Sequence, residues 1–226
     1  MRRYFFAFPL NRIHIVNIYS SSVLISFALI LSACTLATVR SIDEDEEAKA
    51  GFDPVAYVDD LWEEQLVGTI TENAVDINEL LTQIDENEAT ATEEHGARSG
   101  TGAFSFMVKG EAQVLEVNLE SRIGLMALDF APYDGIANAN LAIGPVIRNR
   151  NNSVRDAVGF IQFNDFVNQT EFAGVSTAIK DRILETVIDP LDLESMPGKT
   201  ISFYGAFTLD SRDDIEIVPI SVEVGS

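Results

Sequence analysis

The sequence predicts a mainly β chain with helices, an α+β architecture whose strands curl into an OB-like barrel. Three observations carry this. The hydrophobic period drops from 3.6 to 2 at about residue 101. From there, short strand patterns are separated by turn signals every 8–12 residues, as in a barrel or sandwich rather than a parallel sheet. One amphipathic helix, 172–188, interrupts the strands and is followed by "MPGKTISFYGAF", a turn and a glycine-bearing strand. In an OB-type barrel a helix closes the base between strands, and glycine permits sharp coiling.

The N-terminus comes first in the chain and sets the location. Arg2, Arg3 and Arg12 form a positive segment, 23–31 (VLISFALIL) is apolar, and Ser32 and Ala33 are small. These are the parts of a secretory signal peptide over 1–33. The apolar stretch is well short of the ~20 residues that span a bilayer. The only cysteine, Cys34, follows directly in "LILSAC". Leu31-Ser32-Ala33-Cys34 resembles the bacterial lipobox. That likeness implies a diacylglycerol thioether on Cys34, which anchors the mature chain to a membrane with periplasmic exposure. Each buried CH₂ of such chains contributes ~0.8 kcal/mol. Thr35, rather than Asp, follows the cysteine, which favours the outer membrane.

Residues 34–51 read as an acidic tether, since "SIDEDEEAK" over 41–49 has no apolar pattern and its like charges repel. Residues 52–100 read as N-terminal helices and a mobile loop. Asp53-Pro54 supplies an N-cap and a first-turn proline, and Tyr57, Val58, Leu61, Trp62 and Leu66 follow at helical spacing up to a stop at Gly68. Asp76-Ile77-Asn78-Glu79 starts a second helix. The polar stretch 85–100 follows as the loop.

Residues 101–226 form the barrel, as one closed unit or with 101–147 as a second small barrel. Phe104, Phe106 and Val108 alternate up to a turn at Gly110, then Leu115, Val117 and Leu119 alternate with polar neighbours. Residues 123–130 make a strand ending at the turn Pro132-Tyr133-Asp134-Gly135. Leu141, Ile143, Val146 and Ile147 make another, and 158–163 a further one. After the helix, which Pro190 stops, 201–207 and 215–224 are the last strands.

Charge and composition exclude several functions. The net charge is −21. Three of the 15 basic residues fall in the signal peptide, so 12 face 36 acidic ones in the mature chain, about −24. Such a surface repels nucleic acid and anionic head groups. With Cys34 lipidated there is no disulfide, thiolate metal site or cysteine nucleophile. The mature chain keeps one histidine, His95, in the polar stretch "TATEEHGARSG". There is no P-loop, no G-x-G-x-x-G and no metal-ligand cluster. Asp59-Asp60 and Asp213-Asp214 fall on solvated faces or turns. No cofactor and no catalysis are expected.

Two regions could bind. Arg148, Arg150 and Arg155 make a basic island in an acidic chain, suited to an anion because the arginine fork pairs with carboxylates. The competing assignment is internal ion pairing with Asp156 and Asp165. Residues 164–172 (NDFVNQTEF) mix amides, carboxylates and aromatics as sugar sites do. There the competing assignment is a junction in which Asn168 or Thr170 caps the helix. The candidate ligand residues are Arg148, Arg155, Asp165, Asn168, Gln169 and Glu171.

The stretches "VKGEAQVLEVNLESRIG", "IGPVIRNRNNSVRDAVGFIQFNDFVNQTEFAGVS" and "DPLDLESMPGKTISFYGAF" resemble bacterial predicted periplasmic lipoproteins of unknown function, often encoded beside sugar ABC-transporter components. The resemblance spans 52–224 and departs at Asn149, where the pattern has glycine. It implies location, anchor and fold, with ABC-transporter components as partners, and carries no catalytic residue. The function expected is a non-catalytic envelope module accessory to solute transport; the alternative is a small-ligand, sugar-binding protein.

Overall fold

The computed structural model describes residues 51–148 and 152–225. The expected signal peptide, the expected lipid site Cys34, the expected tether up to residue 50, and Arg150 lie outside the described residues.

Helix α1 (Pro54–Leu61) starts where Asp53 accepts hydrogen bonds from the Val55 and Ala56 N–H groups at 2.9 and 3.2 Å. It widens through a π-type turn over Trp62–Val67 and continues as α2 (Gly68–Asn73). The expected stop at Gly68 does not occur. Val58, Trp62, Leu66 and Ile70 form one buried stripe at spacing four, and the stripe crosses the glycine. Their burial outweighs the ~1 kcal/mol by which glycine disfavours a helix interior.

A two-residue strand β1 (Val75–Asp76) pairs parallel with β3 (Ser105–Asn118). Asp76 then caps α3 (Ile77–His95), accepting from the Asn78 and Glu79 N–H groups. The stretch 85–95 is therefore helical, not a loop. Asn87 leaves helical geometry (φ −160°, ψ 92°), and its Oδ1 accepts from the Thr90 N–H, so it restarts the helix it interrupts. Buried Ala91 seats the restarted half. Gly96–Ala97 (β2) pairs antiparallel with β3, and the Arg98 guanidinium lies 4.4 Å over the Phe104 ring.

Strand β3 runs straight through Gly110, where a turn was expected. A Cβ there would stand 2.7 Å from the Ile77 side chain and 3.2 Å from the Phe203 ring. The glycine is a point of close approach between α3 and the barrel. Phe106, Val108, Ala112 and Val114 point inward; a register shift between Val114 and Glu116 then changes the parity, so Val117 packs on the core.

The barrel closes with five strands. β3 pairs antiparallel with β4 (Leu125–Phe130), and β4 with β5 (Ala139–Ala142). β5 pairs parallel with β7 (Glu216–Val224). β7 pairs antiparallel with β6 (Thr200–Thr208), and β6 returns to β3 from Ser105↔Thr208 to Gln113↔Thr200. Residues 101–147 therefore join the same barrel and form no second one. The helices of 52–100 share its core.

Two strand expectations change. β5 ends at Ala142; the N–H groups of Ile143 and Gly144 both donate to the Gly124 carbonyl, at 3.0 and 3.1 Å. A Cβ on Gly144 would stand 2.2 Å from the Gly124 nitrogen, so only glycine allows these two backbones to meet. The expected strand over 158–163 is instead irregular. It follows a short helix α4 (Ser153–Ala157) and ends in a 3₁₀ turn over Phe163–Asp165. Gln162 bonds to the Gly159 carbonyl, and Asp165 accepts from the Gln162 N–H. These local bonds satisfy a backbone that would otherwise need a strand partner. Helix α5 (Gln169–Ile183), extended by a π-type turn over Leu184–Ile188, lies between β5 and β6 in the chain.

Candidate functional site

Helix α4 is fixed to the barrel by Ser153, whose hydroxyl donates to the Ala206 carbonyl on β6 at 3.0 Å. That placement aims Arg155 at α5. Its Nη1 donates to Ser176 Oγ at 2.7 Å and to the Phe172 carbonyl at 3.4 Å. Its Cζ lies 3.7 Å from the centroid of the Phe172 ring. Nε and Nη2 reach Asp156 Oδ1 at 2.8 and 2.7 Å. The residue is 7% exposed, and the fork is held by stacking and hydrogen bonds together.

Lys180 follows Ser176 by one helical turn and is 9% exposed. Its Nζ donates to the Arg148 carbonyl at 3.2 Å and to Asn152 Oδ1 at 3.4 Å. Burial lowers its pKa below the ordinary lysine value, the Arg155 charge lowers it further, and Asp156 and Asp181 oppose this. Burial raises the pKa of Asp156, against the pull of Arg155 and then Lys180. Both shifts have burial as their largest cause: the charged form loses water.

Between α4 and α5 opens a cleft of about 410 Å³. Arg155, Phe172, Ser176 and Lys180 line it, with Asn152 and Gln169 also present. The small side chains of Ala173 and Thr177 form its exposed wall. The lining offers amide and hydroxyl hydrogen bonds, one aromatic ring and two buried cations, carried on α4 and α5 and on Asn152 just before α4.

The sequence-derived candidates separate here. Arg155 and Gln169 line the cleft. The Arg148 guanidinium instead pairs with Glu216 Oε2 at 2.7 Å and lies 3.9 Å from Asp214 Oδ2; its carbonyl serves Lys180. Asp165 caps the 3₁₀ turn and makes no pair with Arg155. Asn168 is the N-cap of α5, accepting from the Thr170 and Glu171 N–H groups at 2.9 and 3.0 Å. Glu171 accepts from the Val167 N–H and from Asn168 Nδ2. Of the two assignments open for this region, capping is the one these bonds make; of the two open for Arg155, the ion pair with Asp156 forms. Asn168→Ala is expected to cost about 1 kcal/mol through loss of the cap, read as a lower denaturation midpoint. Lys180, Ser176 and Asn152 were not among the sequence candidates. Ser176 and Lys180 stand four apart beside the stripe Phe172, Val175, Ile179 and Ile183, a spacing that could have exposed them.

A family model described as predicted periplasmic lipoprotein (DUF2291) matches residues 24–223. An OB-fold protein from Thermotoga maritima, known from a crystal structure, aligns with a TM-score of 0.63 at 20% identity, over 77% of this chain and 99% of that one. At that identity the likeness shows the fold, which agrees with the five-stranded closure. No curated protein matches. Since the family model runs over nearly all of its length, the chain belongs to the predicted periplasmic lipoproteins (DUF2291).

Proposed function

We propose that this lipoprotein is a non-catalytic binding module, anchored through diacylglycerol on Cys34 and accessory to solute uptake, whose cleft takes a small polar ligand of the sugar class. The carrying observation is the cleft between α4 and α5. Amides of Asn152 and Gln169 and hydroxyls of Ser176 and Thr177 surround a volume suited to one small molecule, beside the ring of Phe172. The non-catalytic reading rests on the lining. Among the described residues no carboxylate or imidazole lines this cleft, so general acid–base chemistry on the pattern of two carboxyls lacks its groups there. The accessory role rests on what the sequence resemblance implies, ABC-transporter components as partners, and outer-membrane sorting rests on Thr35 after Cys34.

The anchor is tested by Cys34→Ser. The chain is expected to leave the membrane fraction for the soluble periplasmic fraction; persistence in the membrane overturns the anchor. The binding reading is tested by thermal shift of the detergent-solubilised full chain with monosaccharides and their acids. A ligand at 100 times its Kd adds about 2.7 kcal/mol, so a flat response to every compound overturns it.

A further inference from the structure

We infer that the edge of β3 over residues 115–118 docks an extended segment of a partner protein, in which apolar residues alternate with lysine or arginine. The inference does not depend on the cleft between α4 and α5.

Strand β3 leaves one edge open along its last residues. Gln113 pairs with Asp129 of β4 on one side and with Thr200 of β6 on the other, and there the β6 pairing ends. One residue later the Val114 N–H donates to the Lys199 carbonyl at 2.9 Å, and the Val114 carbonyl accepts from the Gly198 N–H at 2.8 Å. Beyond that point β4 continues on its own side, from Glu116↔Ala127 to Asn118↔Leu125. No described residue pairs with β3 on the side that β6 has left. Such an edge offers backbone donors and acceptors to a further strand.

The chain leading into β6 stands across from this edge. A 3₁₀ turn over Leu193–Ser195, followed by Pro197, faces Val117, Leu119 and Glu120 across an open groove of about 440 Å³. Its apolar lining is Val117, Leu119, Leu193 and Pro197, with Leu119 48% exposed. The charged residues of the lining, Glu120 and Glu194, are both acidic and both exposed, and neither forms an ion pair with a described residue. Glu116 adds a third exposed carboxylate to this stretch of β3. Lys199 donates its Nζ to Ser195 Oγ at 2.8 Å and is not part of the lining.

These features define the occupant. An open edge calls for an extended chain, which pairs through its backbone and sends alternate side chains into the groove. The apolar lining calls for apolar residues at those positions. The acidic rim, on a chain of net charge −21, calls for basic residues between them and steers such a segment in. The same charge opposes a second copy of this chain, which would bring its own glutamates to the edge. Residues 115–118 span about 13 Å, which suits a short linear segment.

The test titrates the detergent-solubilised full chain with three fluorescent hexapeptides: alternating valine and lysine, the same peptide N-methylated at its two inner residues, and alternating valine and glutamate. The lysine peptide is expected to bind and to slow amide hydrogen exchange at 115–118. N-methylation is expected to weaken binding about tenfold, because a ladder hydrogen bond is lost, and the glutamate peptide is expected not to bind. Glu194→Lys is expected to weaken the lysine peptide about threefold, and Leu119→Ser about tenfold. Both positions lie on the rim or at an exposed site, so the unliganded melting temperature is expected to stay in place. Equal binding of the methylated peptide reduces the effect to charge attraction and overturns the inference. No binding of the lysine peptide, or slowed exchange only outside 115–118, overturns it as well. Slowed exchange at 115–118 that appears on raising the protein concentration without peptide assigns the edge to a second copy and overturns the partner assignment.

Discussion

Phe207→Ala is expected to remove about 3–5 kcal/mol of folding stability, the usual cost of truncating a buried phenylalanine. Phe207 is fully buried, and its ring stacks on Phe106 with centroids 5.3 Å apart. The two residues are register partners on the β3–β6 seam that closes the barrel, and Phe207 also pairs with Ile217 on β7. Hydrogen bonds on both sides hold the backbone in place, so the walls cannot collapse into the space the ring leaves. Domains of this kind have only about 5–15 kcal/mol in total, so the variant sits close to unfolding. Urea denaturation checks this, with a lower midpoint at unchanged slope. Phe163→Ala supplies the contrast. That ring is 45% exposed and touches the core through an edge contact with Phe172, and its truncation is expected to cost less than half as much. Equal losses at the two sites would contradict the placement of the core on the closing seam.

How far this fold could be read from the sequence depended on the distance between the groups concerned. The helix starts at Asp53 and Asp76 were legible because a cap and the N–H groups it accepts lie within three residues, and Asn168 was one of two caps left open for the last helix, which starts three residues before the expected 172. Gly110 and Gly68 were misread as boundaries because their reasons lie elsewhere. Ile77 and Phe203 press on Gly110, and the stripe through Leu66 and Ile70 carries the helix past Gly68. The polarity of 85–95 hid a helix whose evidence was Asn87 as an internal cap and one buried alanine. Whether residues 101–147 formed their own barrel depended on pairing between Ser105 and Thr208, 103 residues apart, which no local pattern encodes. The site divided in the same way. Arg155 stood out as a cation in an acidic chain, whereas nothing local marks Lys180, whose burial comes from α4 packing on α5. Arg148, Asp165, Asn168 and Glu171 have the chemistry of a binding site, yet each is held by a nearby backbone bond or ion pair.

Arg155→Met is the second change with a large expected effect, about 3–5 kcal/mol, because it removes one partner of a buried ion pair and strands the other. Asp156 would lose the contacts at 2.7 and 2.8 Å, and Ser176 its donor. Lys180 stays near Asp156 and attracts it, which places the loss toward the lower end. The pH dependence identifies the cause. Burial already raises the Asp156 pKa in the native protein, with Arg155 the strongest force opposing it. Without Arg155 the native carboxyl keeps its proton to still higher pH, while the unfolded chain releases it near the ordinary value of 3.8. Across that window the native state binds more protons than the unfolded one, so stability falls as pH rises. The variant's deficit should therefore be smallest in acid and widen toward neutrality. Adding Asp156→Asn to Arg155→Met should recover stability at neutral pH and flatten the profile, since the uncompensated charge is then gone. Arg155→Lys should recover little, because an ammonium cannot stack on Phe172 while reaching Ser176 and Asp156 together. If the deficit did not change with pH and Asp156→Asn gave no recovery, the loss would come from packing against Phe172 alone, and the Arg155–Asp156 pair would have no measurable consequence.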